Sequence, residues 1–289
     1  MITSSKGIQP NNSTDAEFRI WSKFIVDGML AGGWVQTADT GQINFTTVTR
    51  PLAANTAMGY VILRMDDTLQ SSVPVYVRLE FGSGSLAANM GVWFTIGGST
   101  DGAGAIQGAW ITNLNSAAAP IRCGSSSAAL VQPHSWVSAD TNRAQVAVAY
   151  TSGFNGLFFS IERTKTAAGL DDGTGLLLWY SESGASISRT LYLFALDGLQ
   201  PPVENTAYHL LNTQRNPSAR DQNVAVSALF HYPGLPQQPG MGLLIVNSAD
   251  MSAEGRWYIN IYGQRVPYQM LFTVGSVLGG SGRVLIRVD

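Results

Sequence analysis

Histidines are the side chains of this sequence best suited to acid–base chemistry or metal binding, but their spacing does not describe a site. His134, His209 and His231 lie far apart, and none stands at the spacing of a metal-ligand pair. His231 lies in an apolar stretch beside Tyr232, which favours a structural histidine over a ligand or a base. A Ser-His-Asp triad stays open as an alternative, because its members need not be neighbours in the sequence.

Paired carboxylates are a second route to catalysis, since glycosidases use two acids about 5–10 Å apart. The chain contains six glutamates. Glu80 and Glu162 lie in predicted strands beside Arg78 and Arg163, which favours solvated or interface charge over a catalytic acid. The sequence therefore predicts no carboxylate pair with a catalytic role.

Two acidic pairs, Asp66-Asp67 and Asp171-Asp172, lie in predicted turns, where Asp is common for backbone reasons. Neither has the alternating acidic spacing of a calcium-binding loop. The chain also lacks a glycine-rich loop ending in Gly-Lys-Ser/Thr and a Gly-x-Ser-x-Gly nucleophile elbow. We therefore expect no enzymatic activity, no catalytic residue, no metal and no cofactor.

Tryptophan is the remaining residue type that could bind a ligand, because sugars often stack on exposed indole rings. A large β fold also needs bulky core residues, and we expect most of the tryptophans to be buried. Trp21 falls in a predicted helix, and the other six fall on or near predicted strands: Trp34, Trp93, Trp110, Trp136, Trp179 and Trp257.

Low charge is the main feature of the composition. Charged residues make up 12% of the chain, about half the usual share, and 31 glycines add to a polarity that comes from uncharged side chains. Such a surface suits a protein covered by neighbouring subunits, which favours an assembly over a low-charge monomer. The net charge of −2 gives no support to nucleic-acid binding, which would need a basic patch.

Targeting and redox signals are absent from the sequence. Cys123 is the only cysteine, so neither a disulfide framework nor a thiolate metal site is predicted. The N-terminus lacks the basic-then-apolar pattern of a secretory signal. No stretch approaches the roughly 18 apolar residues of a membrane span. We expect a chain that is made in a cytoplasm and does not insert into a membrane.

One amphipathic helix is predicted near the N-terminus, after a polar stretch at residues 1–13 that predicts a flexible arm. Thr14 and Glu17 have the spacing of a capping box, and Gly32 and Gly33 predict the helix end. We expect the apolar face of this helix to pack on the chain's own sheet. The alternative is attachment to a neighbouring subunit. That face consists of Phe18, Trp21, Ile25 and Met29.

The rest of the chain predicts β-structure. Residues 59–98 predict three strands joined by polar turns, and the middle strand alternates, with Val75, Val77, Leu79 and Phe81 on one face. Roughly a dozen short strands with one short helix favour an all-β fold, either a β-sandwich or a jelly roll. The other strands are predicted at residues 34–38, 43–48, around Trp110, and at 144–150, 157–163, 176–180, 191–196, 224–232, 242–246, 257–262, 268–274 and 283–288.

Pro201-Pro202 is the strongest candidate for a domain boundary, since two prolines interrupt a strand ladder. Residues 1–33 then form the arm and helix, residues 34–200 the sandwich body, and residues 201–289 either a second small domain or the completion of the sandwich. The proline-rich segment 233–240 (PGLPQQPG) predicts an extended loop.

Several phrases of the sequence, taken together, resemble structural proteins of tailed bacteriophages. They are WSKFIVDGMLAGGWVQTADTGQINFTTVTRP, GYVILRMDDTLQSSVPVYVRLEFGSG, MGVWFTIGGSTDGAGAIQG and GLFFSIERTK. The resemblance covers roughly residues 14–200 and contains no diagnostic motif. It implies a β-rich virion or tail protein and no catalytic residue.

These observations lead to one main hypothesis and three alternatives. The main hypothesis is a non-enzymatic virion protein, most simply tail-associated (fibre, baseplate or tail tip), that forms a homo-oligomer such as a trimer or ring. Its partners would be other virion proteins and, through its loops, a glycan on the host surface. The alternatives are a capsid decoration protein, a carbohydrate-binding module, and a hydrolase whose site forms only in space.

Overall fold

A computed structural model describes thirteen segments of the chain. The described residues contain one α-helix and seventeen β-strands, and every strand pairing among them is antiparallel. The predicted all-β fold with one short helix is confirmed. The segments are residues 3–8, 12–84, 86–112, 121–122, 134–149, 156–165, 170–183, 186–194, 225–230, 238–247, 256–261, 264–270 and 282–287.

The described strands form three sheets. Sheet A has the strand order β1-β8-β9-β10-β11-β12, and sheet C has the order β13-β14-β17-β16-β15. Sheet B has the order β2-β3-β4-β5-β6, with β7 also paired to β5. The elements are β1 (Thr3–Ile8), α1 (Asp15–Ala31), β2 (Val35–Gln36), β3 (Ala57–Arg64), β4 (Tyr76–Ser83), β5 (Met90–Thr100), β6 (Ile106–Thr112), β7 (Ile121–Arg122), β8 (His134–Asp140), β9 (Arg143–Ala149), β10 (Gly156–Lys165), β11 (Asp171–Ser183), β12 (Ser186–Phe194), β13 (Ala225–Phe230), β14 (Gln238–Asn247), β15 (Arg256–Ile261), β16 (Gln264–Met270) and β17 (Gly282–Arg287).

Helix α1 begins and ends where its capping residues predict. The Thr14 hydroxyl accepts a hydrogen bond from the backbone N–H of Glu17 at 3.2 Å and donates to the Glu17 carboxylate at 3.0 Å. At the other end, the N–H of Gly32 donates to the carbonyl of Gly28. Gly33 follows with a φ of +101°, in the left-handed region that favours glycine.

The apolar face of α1 lies in the core of this chain. Phe18, Trp21, Ile25 and Met29 are all at most 1% exposed and belong to one cluster with residues of sheets A and B. Packing on the chain's own sheets, the main prediction for this face, is therefore confirmed. The four side chains are not accessible to a neighbouring subunit, so the alternative role in subunit attachment is not carried forward for them.

Sheets A and B share this core. The three strands predicted within residues 59–98 are β3, β4 and β5, and the inward face of β4 is fully buried as predicted. Across the core, the rings of Phe94 on β5 and Phe159 on β10 meet edge to face with centroids 4.3 Å apart. Helix α1 and the two sheets therefore share one hydrophobic core, while Pro201-Pro202 lies outside the described residues.

The flexible arm predicted for residues 1–13 is wrong for the residues of this range that the structure describes, 3–8 and 12–13. Residues Thr3–Ile8 form β1, which pairs along its whole length with β8 at the edge of sheet A. Asn12 is fully buried, and its N–H donates to the carbonyl of Ala88 at 2.9 Å. A polar segment can be ordered in this way because a strand ladder uses backbone groups and does not require apolar side chains.

Two local predictions are also wrong. Residues 43–48 form a turn and not a strand, because the Asn44 side chain accepts a hydrogen bond from the N–H of Thr46 and competes with strand pairing. Asp171-Asp172-Gly173 was predicted as a turn and instead begins β11. There the Asn142 side chain donates a hydrogen bond to the Asp171 carboxylate at 2.9 Å, and Asp171 lies opposite Lys165 in the ladder between β10 and β11.

In sheet C, the extended loop predicted at 233–240 is wrong for residues 238–240, which begin β14, and residues 233–237 lie outside the described residues. Pro239 pairs with Leu229 beside a register shift, the kind of irregular position at which a strand tolerates proline. The strands predicted at 257–262 and 268–274 correspond to the antiparallel pair β15 and β16, but β16 begins at Gln264, earlier than predicted. Their ladder closes at the pair Ile261 and Gln264.

Candidate functional site

Among the described residues, histidine, cysteine and acidic side chains form no metal centre. His209, His231 and Cys123 lie outside the described segments, and His134 is the first residue of β8. Across the described part of the chain, no group of three or more His, Cys, Asp or Glu side chains could hold a metal ion.

The two predicted Glu–Arg pairs have different environments. Arg78 and Glu80 form a partly exposed ion pair with 2.8 Å between nitrogen and oxygen, which agrees with the predicted solvated charge. That prediction is wrong for Glu162 and Arg163, which are both buried. The Arg163 side chain is 0% exposed, and its Nε donates to Asp67 Oδ2 at 2.6 Å. Neighbouring strand residues point to opposite faces, so Arg163 and Glu162 do not share a site.

The tryptophans whose side chains are described are buried, as predicted. Trp21, Trp34, Trp93 and Trp136 are between 1% and 8% exposed. The indole N–H of Trp21 donates to the Asn12 side chain at 2.6 Å, and that of Trp34 donates to the carbonyl of Arg143 at 3.0 Å. These rings are buried in the protein, so they offer no stacking surface to a sugar.

The described surface contains a cleft of about 450 Å³ at one end of sheet B. Arg64 at the end of β3 and Tyr76 at the start of β4 line it and pair with each other in the strand register, and we call these two residues its floor. Two further segments line it, residues 35–39 and the pair Thr100 and Gly102, and we call these its first and second walls. We call this feature the Tyr76 cleft.

Asp39 joins the two walls of the Tyr76 cleft. It is 8% exposed, and its Oδ1 accepts a hydrogen bond from the N–H of Gly104 at 3.2 Å. Its Oδ2 accepts from the hydroxyl of Thr100 at 3.0 Å. The N–H of Thr40 adds a backbone bond to the carbonyl of Gly102 at 3.0 Å. Both carboxylate oxygens of Asp39 therefore link residues 35–39 to the segment that contains Thr100 and Gly104.

The loop after β5 is shaped by Asp101 and Gly104. The Asp101 carboxylate accepts from the N–H groups of Ala105 at 2.9 Å and Ala103 at 2.8 Å, and these bonds lower the pKa of Asp101 below its ordinary value of 3.8. Gly104 has a φ of +103°, and a Cβ there would collide with the ring of Tyr60. The Tyr60 hydroxyl in turn donates to the carbonyl of Thr40 at 2.6 Å. The rim is therefore rigid.

The arginines in and beside the Tyr76 cleft are ion-paired. Arg64 forms an ion pair with Asp66 at 3.0 Å. On the same sheet face, the Arg78 guanidinium lies over the Tyr60 ring, 4.2 Å from its centroid, and also pairs with Glu80. The cleft has an aromatic ring, a guanidinium, an amide and hydroxyls in its lining, which is a set suited to binding through hydrogen bonds and ring contact.

Sequence reasoning missed the Tyr76 cleft because its residues are dispersed. In the sequence, Asp39 precedes the turn signal Thr40-Gly41 and Tyr76 alternates with the apolar residues of a predicted strand, but nothing in their spacing relates either residue to Thr100. A polar aromatic position at a strand end was the available signal, and it is a weak one.

Comparisons with known proteins identify no relative. No protein family, no curated protein and no solved structure matches this chain. Among the described residues, no helix has the length and apolar character that a bilayer crossing needs.

Proposed function

We propose that this chain is a non-enzymatic structural subunit of a tailed-bacteriophage virion, most simply tail-associated, as a fibre, baseplate or tail-tip component. It is made in the host cytoplasm and assembles with copies of itself and with other virion proteins. Its body is a β-sandwich or jelly roll. The shared core of sheets A and B, with Phe94 against Phe159, supports the sandwich.

The observation that carries this proposal is the use of buried polar side chains as braces between distant segments. Asn12 donates to the carbonyl of Asn89, 77 positions away, and accepts from Trp21. Arg163 pairs with Asp67, 96 positions away. These contacts fix the relative positions of sheets, loops and helix. A subunit that must keep its shape within a particle needs this kind of rigidity.

Edge strands offer a means of assembly. Sheet A ends at β12, whose described ladder partner is β11 alone. Edge strands present backbone donors and acceptors that another chain can pair with, and low surface charge does not oppose such contact. The composition, with 12% charged residues, agrees with a subunit covered by its neighbours.

Particle composition and solution mass test this proposal. We expect peptides of the chain in purified virions at a constant copy number, and light scattering of the purified chain should give a stable trimer or larger ring at all concentrations. Immunogold labelling would separate a tail position from capsid decoration. Virions that lack the chain, together with a monomer at every concentration, would contradict the proposal.

A carbohydrate-binding module is the second candidate function, and the Tyr76 cleft favours it. Sugar binding by stacking on exposed tryptophans loses support, because the four indole rings that the structure describes are buried. Iodide quenching of tryptophan fluorescence would extend that result to the whole chain. The alternative of a hydrolase predicts degradation of a bacterial polysaccharide by the purified protein, and a failure to degrade any would count against it.

A further inference from the structure

We propose that the Tyr76 cleft binds a neutral saccharide. This inference deepens the proposed function and rests on it only for the source of the sugar, a host cell surface. The binding itself is argued from the volume, rigidity, lining and charge of the cleft.

The volume and rigidity of the cleft suit a small ligand. At about 450 Å³ it falls within the range of small-molecule sites, roughly 300–1,000 Å³. Asp39 ties both walls together through Thr100 and Gly104. A cleft that is already braced loses little conformational freedom when a ligand enters, so weak individual contacts can contribute to net affinity.

The lining matches the two kinds of surface on a sugar ring. The partly exposed ring of Tyr76 forms part of the floor and can cover an apolar C–H face. Beside it, the Arg64 guanidinium is partly exposed and carries fixed hydrogen-bond donors. The exposed amide of Gln36 on the first wall donates one hydrogen bond to the Gln42 side chain at 3.1 Å, which leaves its second N–H and its carbonyl oxygen for a ligand.

The charge of the cleft favours a neutral ligand over an acidic one. The positive charge of Arg64 is paired with Asp66 at 3.0 Å. Asp39 on the wall adds negative charge. An anionic sugar would meet this carboxylate and one arginine whose charge is already paired. A cation would find the oxygens of Asp39 already engaged by N–H and O–H donors.

The experiment uses the purified full chain on a printed array of neutral and acidic glycans, followed by isothermal titration calorimetry with a retained neutral oligosaccharide. We expect Tyr76→Ala to weaken binding about tenfold, as for loss of a ring contact, and Tyr76→Phe to stay close to the wild type. Arg64→Gln should weaken binding by a similar factor. Arg78→Gln is the matched control, because Arg78 is also ion-paired on this sheet face but does not line the cleft.

Three results would overturn the inference. They are retention of no neutral glycan, retention of acidic glycans only, and equal affinities for Arg64→Gln and Arg78→Gln. If Tyr76→Ala does not fold, Gln36→Ala replaces it, because Gln36 is an exposed wall residue whose loss should still weaken binding several-fold. Virion composition tests the structural role without any sugar, and the array tests the cleft without any particle, so each proposal can fail alone.

Discussion

Breaking the buried ion pair between Arg163 and Asp67 should strongly destabilise this chain. Arg163 lies on β10 of sheet A, and Asp67 lies in the connection between β3 and β4 of sheet B. Their side chains are 0% and 1% exposed. Arg163 Nη2 also donates to the carbonyl of Val73 in the same connection. Replacing Arg163 with Met keeps the approximate length of the side chain and removes both contacts.

The expected loss follows from what remains buried after the substitution. Asp67 Oδ1 still accepts from the N–H of Leu69 at 3.1 Å, but Oδ2 loses its charged partner and the carbonyl of Val73 loses a donor. An uncompensated buried charge costs about 3–5 kcal/mol. Since whole domains are stable by only about 5–15 kcal/mol, Arg163→Met should remove about a fifth or more of the folding free energy.

The assay is urea unfolding followed by tryptophan fluorescence, with the free energy of unfolding compared between variants. Arg78→Met is the matched control, because its ion pair with Glu80 is partly exposed and should be worth about 1 kcal/mol or less. The double variant Arg163→Met with Asp67→Asn should recover part of the loss, since it removes the unpaired charge. If Arg163→Met is no more destabilising than Arg78→Met, then the pair is not the brace described above.

Three further predictions concern other contacts. Asn12→Ala should lower the free energy of unfolding by about 3 kcal/mol, because the buried indole N–H of Trp21 and the carbonyls of Gly82 and Asn89 lose their partner. The exposed Asn44→Ala serves as the control, and an equal effect of the two would refute the argument. Gly28→Ala should cost about 1–3 kcal/mol, because a Cβ there would lie 2.6 Å from the Cβ of Val137. In a Val137→Gly background, which lacks the Cβ of Val137, the cost of Gly28→Ala should fall, and an equal cost in both backgrounds would show that the contact is not the cause. The third prediction concerns pH. The backbone N–H groups of Ala105 and Ala103 lower the pKa of Asp101, so the ionised carboxylate orders its loop fully above pH 3.8. This ordering is lost as the pH falls through the lower pKa of the folded state. NMR titration should place the midpoint for Asp101 below 3.8, and a midpoint at or above that value would contradict the hydrogen bonds at the rim.

Short-range patterns account for the correct predictions about the fold. The alternation through Val77, Leu79 and Phe81 identified β4 and its buried face, because a strand has a side-chain period of two whatever it packs against. Thr14 and Gly32 identified the limits of α1, because capping involves residues within one turn of the helix end. The sequence by itself thus determined the class of fold and the inward faces of its best-defined elements.

Long-range pairing decided the rest. Residues Thr3–Ile8 have no apolar pattern, and they are a strand only because β8 offers an edge far along the chain. In the sequence Arg163 has the context of a surface charge, and only the tertiary structure pairs it with Asp67 in the core. In the same way Asp39 has the context of a turn residue, and only the tertiary structure places it 3.0 Å from the hydroxyl of Thr100. A hydrogen bond between distant residues leaves no periodic signal in the sequence. The braces and the Tyr76 cleft were therefore decided by the tertiary structure alone.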